Sequence, residues 1–228
     1  SVVRGVRALL DDDGLFVFEV QYLDDLFRMG AFDLCYFEHL DYHAVAPLIP
    51  FFEHHGLRLF DVERVPTHGG SIRCFVAADN SRWEDSTTLV EMDKHEIERG
   101  ILTLAPWLAL RKRIDAQKTE LHTLLDHLKH QGRSIVGYGA PAKACTFVYE
   151  LQLAEYLDFV VDDAPLKQGK FLPGTQIQVL PPSELQEVDA PFYILLTAWN
   201  FAPQIIDAHR SLEGVHWITP FPHLVVTP

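Results

Sequence analysis

The chain has 228 residues, 48% of them hydrophobic, so it can bury a sizeable core and wholesale disorder is excluded. Its 19 Lys and Arg against 32 Asp and Glu give a net charge of −13, which argues against nucleic acid or an anionic membrane surface as the main partner, since both demand clustered cations. Cys35, Cys74 and Cys145 are widely spaced with no C-x-x-C pair, and no apolar run approaches a membrane span, so the reading is a cytoplasmic α/β protein with reduced thiols.

In chain order the pattern predicts a helix at about 2–10, a strand at Leu15 to Val20, and a loop with short helical pieces. A helix follows near Ala44 to His55, then strands at Arg58 to Val65 and Ile72 to Ala78. Between those strands, Pro66-Thr67-His68-Gly69-Gly70-Ser71 has the glycines of a hairpin-like reversal. The polar stretch Asp79 to Thr88 reads as a linker, and a long helical pattern then covers about 90–130. One apolar stripe is Ile97, Ile101, Leu104 and Leu108; Ile114, Leu121, Leu125 and Leu128 continue it, with a break expected near 102–106 because of Pro106. Beyond Gly132 short strands alternate with helices, the pattern of a parallel sheet with crossover helices. The expected organisation is residues 1–80, a linking helical segment 81–131, and a Rossmann-like domain 132–228.

The most informative stretch is Ser134 to Lys143. An apolar strand, Ile135 and Val136, runs through Gly137, Tyr138 and Gly139 into a helix beginning near Pro141. Glycine permits the sharp turn, and the first turn of the helix offers free N–H groups to an anion. A second apolar strand, Leu157 to Val161, ends in Asp162-Asp163, where a Rossmann-like unit reads a ribose hydroxyl. Position 142 is alanine, so the full G-x-G-x-x-G is missing, and a plain strand-to-helix turn stays open beside a nucleotide site.

Three further clusters carry potential chemistry. Tyr36-Phe37-Glu38-His39 puts a proton acceptor beside a carboxylate, with a hydroxyl two residues before it. Thr67 to Arg73 sets His68 and Arg73 around a Gly-Gly turn, and a bare hairpin tip is the alternative. Lys167-Gln168-Gly169-Lys170 is a basic loop just after Asp162-Asp163, suited either to phosphate or to plain solvation. No metal-ligand spacing is evident.

These motifs occur in one order, ending with Trp199-Asn200 after the strand at 193–198. The series resembles the S-adenosylmethionine-dependent C-methyltransferases that act on nucleotide-linked keto-deoxysugars, over nearly the whole chain. The resemblance implies three parts: a cysteine-rich zinc module, a central methyltransferase domain and a C-terminal Rossmann-like domain. It implies that this chain begins inside the central domain, as a partial methyltransferase-type sheet followed by the Rossmann-like parallel sheet. The zinc cysteines and the first half of the S-adenosylmethionine site then lie outside it, and the chain alone is expected to be inactive. The implied base is His39, with Glu38 as its partner and Tyr36 near the sugar. His68, Arg73, Gly137, Tyr138, Gly139, Lys143, Asp162, Lys167 and Asn200 are expected to bind the nucleotide-sugar substrate. Position 37 is phenylalanine where a histidine is common in relatives. The rival reading is a nucleotide or nucleotide-sugar binding module without methyl transfer. If the strand at 15–20 is the fifth of a seven-stranded sheet, its open edge is expected to promote self-association.

Overall fold

The alternating run Phe16-Val17-Phe18-Glu19-Val20-Gln21 forms strand β1 (Phe16–Gln21) in the computed structural model, which describes residues 2–228. It turns Phe16, Phe18 and Val20 inward and leaves Val17 and Glu19 more exposed. Strands β2 (Leu57–Val65) and β3 (Ser71–Ala78) complete a three-stranded antiparallel sheet of order β1-β3-β2. The turn between β2 and β3 reverses the chain as the glycines predict, with Gly69 and Gly70 both at positive φ. Before β1 lies α1 (Val2–Leu9), and between β1 and β2 lie α2 (Leu23–Met29) and α3 (Val45–Glu53). Val45, Leu48 and Phe52 of α3 pack on Leu57, Leu59, Ile72, Cys74 and Val76 of the sheet. These elements belong to a first compact unit, which runs up to Met29 and from Asp41 to Ala109. Among the described residues β1 has β3 as its only strand partner.

Helix α4 (Thr87–Arg99) starts on Ser86, whose hydroxyl accepts from the Leu89 N–H at 3.1 Å, and ends on Gly100 at φ 61. The long helical pattern is therefore two helices, α4 and α5 (Leu104–His130). Pro106 falls in the first turn of α5, where its missing N–H costs little. The break resets the helical phase and splits the first predicted stripe: Ile101 is buried, whereas Ile97, Leu104 and Leu108 are exposed. The second stripe, Ile114, Leu121, Leu125 and Leu128, is buried as expected.

On α4 the buried residues are Leu89 and Glu96, and Glu96 is 1% exposed. Its two carboxylate oxygens accept from Val45 N–H and Ala46 N–H, each at 2.8 Å, at the start of α3. Those N–H groups have no partner within α3, so a carboxylate from another helix caps it and meets the positive end of its dipole. Burial raises the Glu96 carboxyl above its ordinary value, opposed by the Ala46 and Val45 N–H groups and the Tyr22 hydroxyl. Glu96→Ala, which strands two buried N–H groups, is expected to lower stability by about 1–3 kcal/mol in urea unfolding.

The second unit comprises Gly30–Leu40 and Leu110–Pro228. Its sheet has six strands in the order β6-β5-β4-β7-β8-β9. Strands β4 (Ile135–Tyr138), β5 (Phe159–Val161), β6 (Val179–Leu180), β7 (Phe192–Leu196) and β8 (Val215–Thr219) are parallel, and β9 (Val225–Thr227) is antiparallel to β8. All four residues of β4 are buried, as in a strand covered on both faces. The chain leaves β4 toward β5 and β6, then returns to its other side as β7, so strand order reverses between β4 and β7. Helix α6 (Ala142–Glu150) follows β4, and α7 (Ala202–Ala208) precedes β8. An irregular loop, residues 162–178, connects β5 to β6.

Candidate functional site

The glycine turn sits at the carboxyl end of β4, where an open parallel sheet places its ligands. Gly139 has φ 96, and a Cβ there would run into the Ala198 methyl beyond β7. A Cβ on Gly137 would meet Val160 at 2.7 Å. Both glycines are thus required by the packing of β4 between β5 and β7. The Tyr138 hydroxyl donates to Asp163 at 3.0 Å and accepts from the His209 ring at 2.7 Å, so this side chain is fixed by two neighbours.

Asp162, at the predicted ribose position, turns back on the glycine turn. Its carboxylate accepts from Ala140 N–H at 2.6 Å, Ala164 N–H at 2.9 Å and the Lys167 ammonium at 3.0 Å. Burial works to raise this carboxyl, but the two N–H groups and the Lys167 charge outweigh it and hold it below the ordinary value. An N–H of the anion-seeking turn is therefore answered by the chain's own carboxylate. Both oxygens of Asp162 thus carry partners from the chain itself.

Lys143, in the first turn of α6, is 7% exposed and points away from solvent. Its ammonium lies 3.1 Å from the Asp33 carboxylate and 3.9 Å from the centre of the Trp199 indole ring. The Trp199 indole N–H donates to the same Asp33 oxygen at 2.6 Å. Asp33 belongs to a short helical turn, Phe32–Leu34, just before the Tyr-Phe-Glu-His segment. Phe32 in that turn stacks on Phe147 of α6 and meets Phe221 edge-on. The Cys35 carbonyl accepts from Thr146 at 3.4 Å. Residues 30–40 are thereby fixed to the six-stranded unit.

This anchoring sets the geometry of the predicted acid–base residues. The His39 Nδ1 lies 2.8 Å from the Leu34 carbonyl. A carbonyl only accepts, so Nδ1 carries the proton and the neutral ring keeps its lone pair on Nε2. The Tyr36 ring lies 4.4 Å from the His39 ring, and its hydroxyl donates to Glu38 at 3.3 Å. Burial, with Glu38 beside it, raises the Tyr36 hydroxyl above its ordinary value, so it stays protonated. Glu38 thus pairs with Tyr36, while a backbone carbonyl orients His39.

Tyr36 and Phe37 also line a cavity of about 730 Å³ in the second unit. Its other walls are Ala140 to Ala142 after the turn, Cys145, Thr146 and Tyr149 on α6, Leu166, Lys167 and Lys170 to Gly174 of the β5–β6 loop, and Val179 of β6. The Tyr149 hydroxyl donates to the Gly174 carbonyl at 2.6 Å and closes one side. Burial raises the Cys145 thiol, so it is a poor nucleophile. The structure brings Tyr36, Lys167 and Ala140 to Ala142, the residues just after the glycine turn, to this one cavity, whereas Gly137, Tyr138, Gly139, Lys143, Asp162, Glu38 and His39 are not among its walls. Asn200 is half-buried in the turn Trp199–Phe201. His68 and Arg73 belong to the other unit: His68 is exposed at the β2–β3 turn, and Arg73 forms ion pairs with Glu63 at 2.9 Å and Glu19 at 3.2 Å.

Residues 66–222 match the family described as the C-methyltransferase C-terminal domain. The chain belongs to that family. It is also 36% identical over 225 residues to C-methyltransferase NovU of Streptomyces niveus, an alignment covering 97% of this chain and 53% of that protein. The chain thus spans about half the length of this relative. The family match includes the β2–β3 turn, the glycine turn, the Asp162 loop and Trp199; the Tyr36 to His39 segment is covered by the longer alignment with the relative. Among the described residues no group of three or more His, Cys, Asp or Glu is placed to hold a metal, and no helix is long and apolar enough to cross a membrane.

The internal bonds of Asp162 give a pH signature. Its folded carboxyl lies below the ordinary value of 3.8, so its contribution is fully present above about pH 5 and is lost as pH falls through the folded value. Asp162→Asn is expected to be less stable than wild type near neutrality, and its unfolding midpoint should fall less steeply on acidification. Urea midpoints measured across that acid range check both expectations.

Proposed function

We propose that the full-length protein transfers a methyl group from S-adenosylmethionine to a carbon next to the carbonyl of a nucleotide-linked keto sugar, and that this chain supplies the proton-abstracting half of the site. The carrying observation is the His39 tautomer: Nδ1 bound to the Leu34 carbonyl leaves a basic Nε2 beside a cavity-lining tyrosine. A carbon is made nucleophilic when the C–H bond next to a carbonyl breaks, its electron pair delocalises onto the oxygen, and the proton passes to a base. His39 Nε2 is that base in this reading, and the protonated Tyr36 hydroxyl is a donor near the developing charge. The nucleotide lies in the apolar cavity at the glycine turn. The exposed rings of Phe37 and Phe171 offer faces to a base, and the exposed Lys170 on the same cavity offers its ammonium to the phosphates.

Two measurements test this. With full-length protein, His39→Asn is expected to slow methyl transfer about 10²–10⁴-fold with little change in KM, and to slow deuterium uptake from D2O at the substrate carbon. Unchanged turnover in His39→Asn removes His39 as the base. In a titration with thymidine diphosphate, amide signals of Tyr149 and the 166–174 loop are expected to shift; shifts confined to the first unit would exclude the cavity.

A further inference from the structure

We infer that Lys143 and Trp199 are positioning residues for proton abstraction: by holding the buried Asp33 carboxylate they fix the Leu34 carbonyl that sets the tautomer of His39. The inference rests on the reading of His39 as the base. It gives Lys143 a task other than the phosphate contact that its place in the glycine turn suggests.

The argument starts from burial. Asp33 is completely buried and Lys143 nearly so, and an ionised carboxylate away from water persists only where fixed donors answer it. Both groups reach the same oxygen: the indole N–H donates at 2.6 Å and the ammonium pairs by charge at 3.1 Å, while the other oxygen has no hydrogen-bond partner among the described residues. The carboxylate is therefore held at one point, by groups from the first turn of α6 and from the segment after β7. The next residue in the chain, Leu34, presents its carbonyl to His39 Nδ1 at 2.8 Å. Moving Asp33 moves that carbonyl. Without the acceptor, the proton on the His39 ring is no longer confined to Nδ1, and the ring loses its aim. The Lys143 ammonium lies over the Trp199 ring and against Asp33, and no wall of the cavity includes Lys143. Burial lowers the Lys143 ammonium and raises the Asp33 carboxyl from their ordinary values, and the charge of each opposes the shift of the other.

The test combines ring ¹⁵N chemical shifts of His39, which distinguish the two tautomers, with steady-state kinetics, on full-length Lys143→Met and Trp199→Phe. Wild type is expected to show the Nδ1-protonated form. In both variants a mixture of tautomers is expected, with kcat reduced by up to about 100-fold, the scale of a misplacement near 1 Å, and KM within about twofold of wild type. A KM raised tenfold with kcat and the His39 tautomer unchanged would overturn the inference and make Lys143 a ligand-binding cation. If Lys143→Met fails to fold, Trp199→Phe decides alone, because it removes the 2.6 Å donor while leaving the ion pair in place. Wild-type turnover in His39→Asn sinks the base assignment and with it the catalytic role of the network. A tautomer that moves in Trp199→Phe while His39→Asn stays active confines the fault to the functional reading rather than to the link between Asp33 and His39.

Discussion

The Asp33 carboxylate, completely buried and answered by an indole N–H and an ammonium on one oxygen, ties together segments more than a hundred residues apart in sequence. Removing one partner of such a pair leaves an uncompensated interior charge, commonly at a cost of about 3–5 kcal/mol. That cost makes the arrangement all-or-none: the segment 30–40 is either seated on the six-stranded unit or it leaves a lysine and an aspartate stranded. Tyr36 reaches the cavity, and His39 faces a carbonyl, because the seating holds.

A second buried carboxylate has a different task. Glu96 meets backbone N–H groups at a helix start, so its partners belong to secondary structure and its effect is on the fold of the first unit. Asp33 meets side chains, and its effect reaches the loop of the proposed base, His39. In a chain with a net charge of −13, most acidic residues serve solvation. Asp33 and Glu96, with Asp24, Asp25 and Asp162, are withdrawn from it.

Most of the fold was legible because short-range rules govern it. Alternation marked β1, β2 and β3; the glycine pair marked the reversal between β2 and β3; and the strand–glycine–helix order marked β4 and α6. The sequence misled where one local feature hid another. Gly100 ends α4 before Pro106 is reached, so a stripe counted through the break mixed two helical phases. Strand β9 was not foreseen: Val225 to Thr227 is too short to show a period, and pairing with β8 alone defines it. At the site, Tyr36, the glycine turn and Lys167 were legible as motifs. Asp33 was not, since in the sequence it resembles any loop acid. Its importance comes from Trp199 and Lys143, contacts between distant positions that no local pattern carries.

The carboxylate that Asp162 folds back onto the Ala140 and Ala164 N–H groups has a consequence for ligand entry. A phosphate-binding loop without an internal anion is commonly ordered by its ligand, and the affinity then carries the entropy of that ordering. Here the counter-charge is built in, so the turn is already in place once the chain has folded. The cost of immobilising it belongs to folding rather than to association. What remains to be ordered lies at the cavity mouth, in exposed side chains such as Leu166, Phe171 and Phe37. In the proposed nucleotide site, discrimination among ligands then falls to those exposed apolar groups, next to a turn already set by folding.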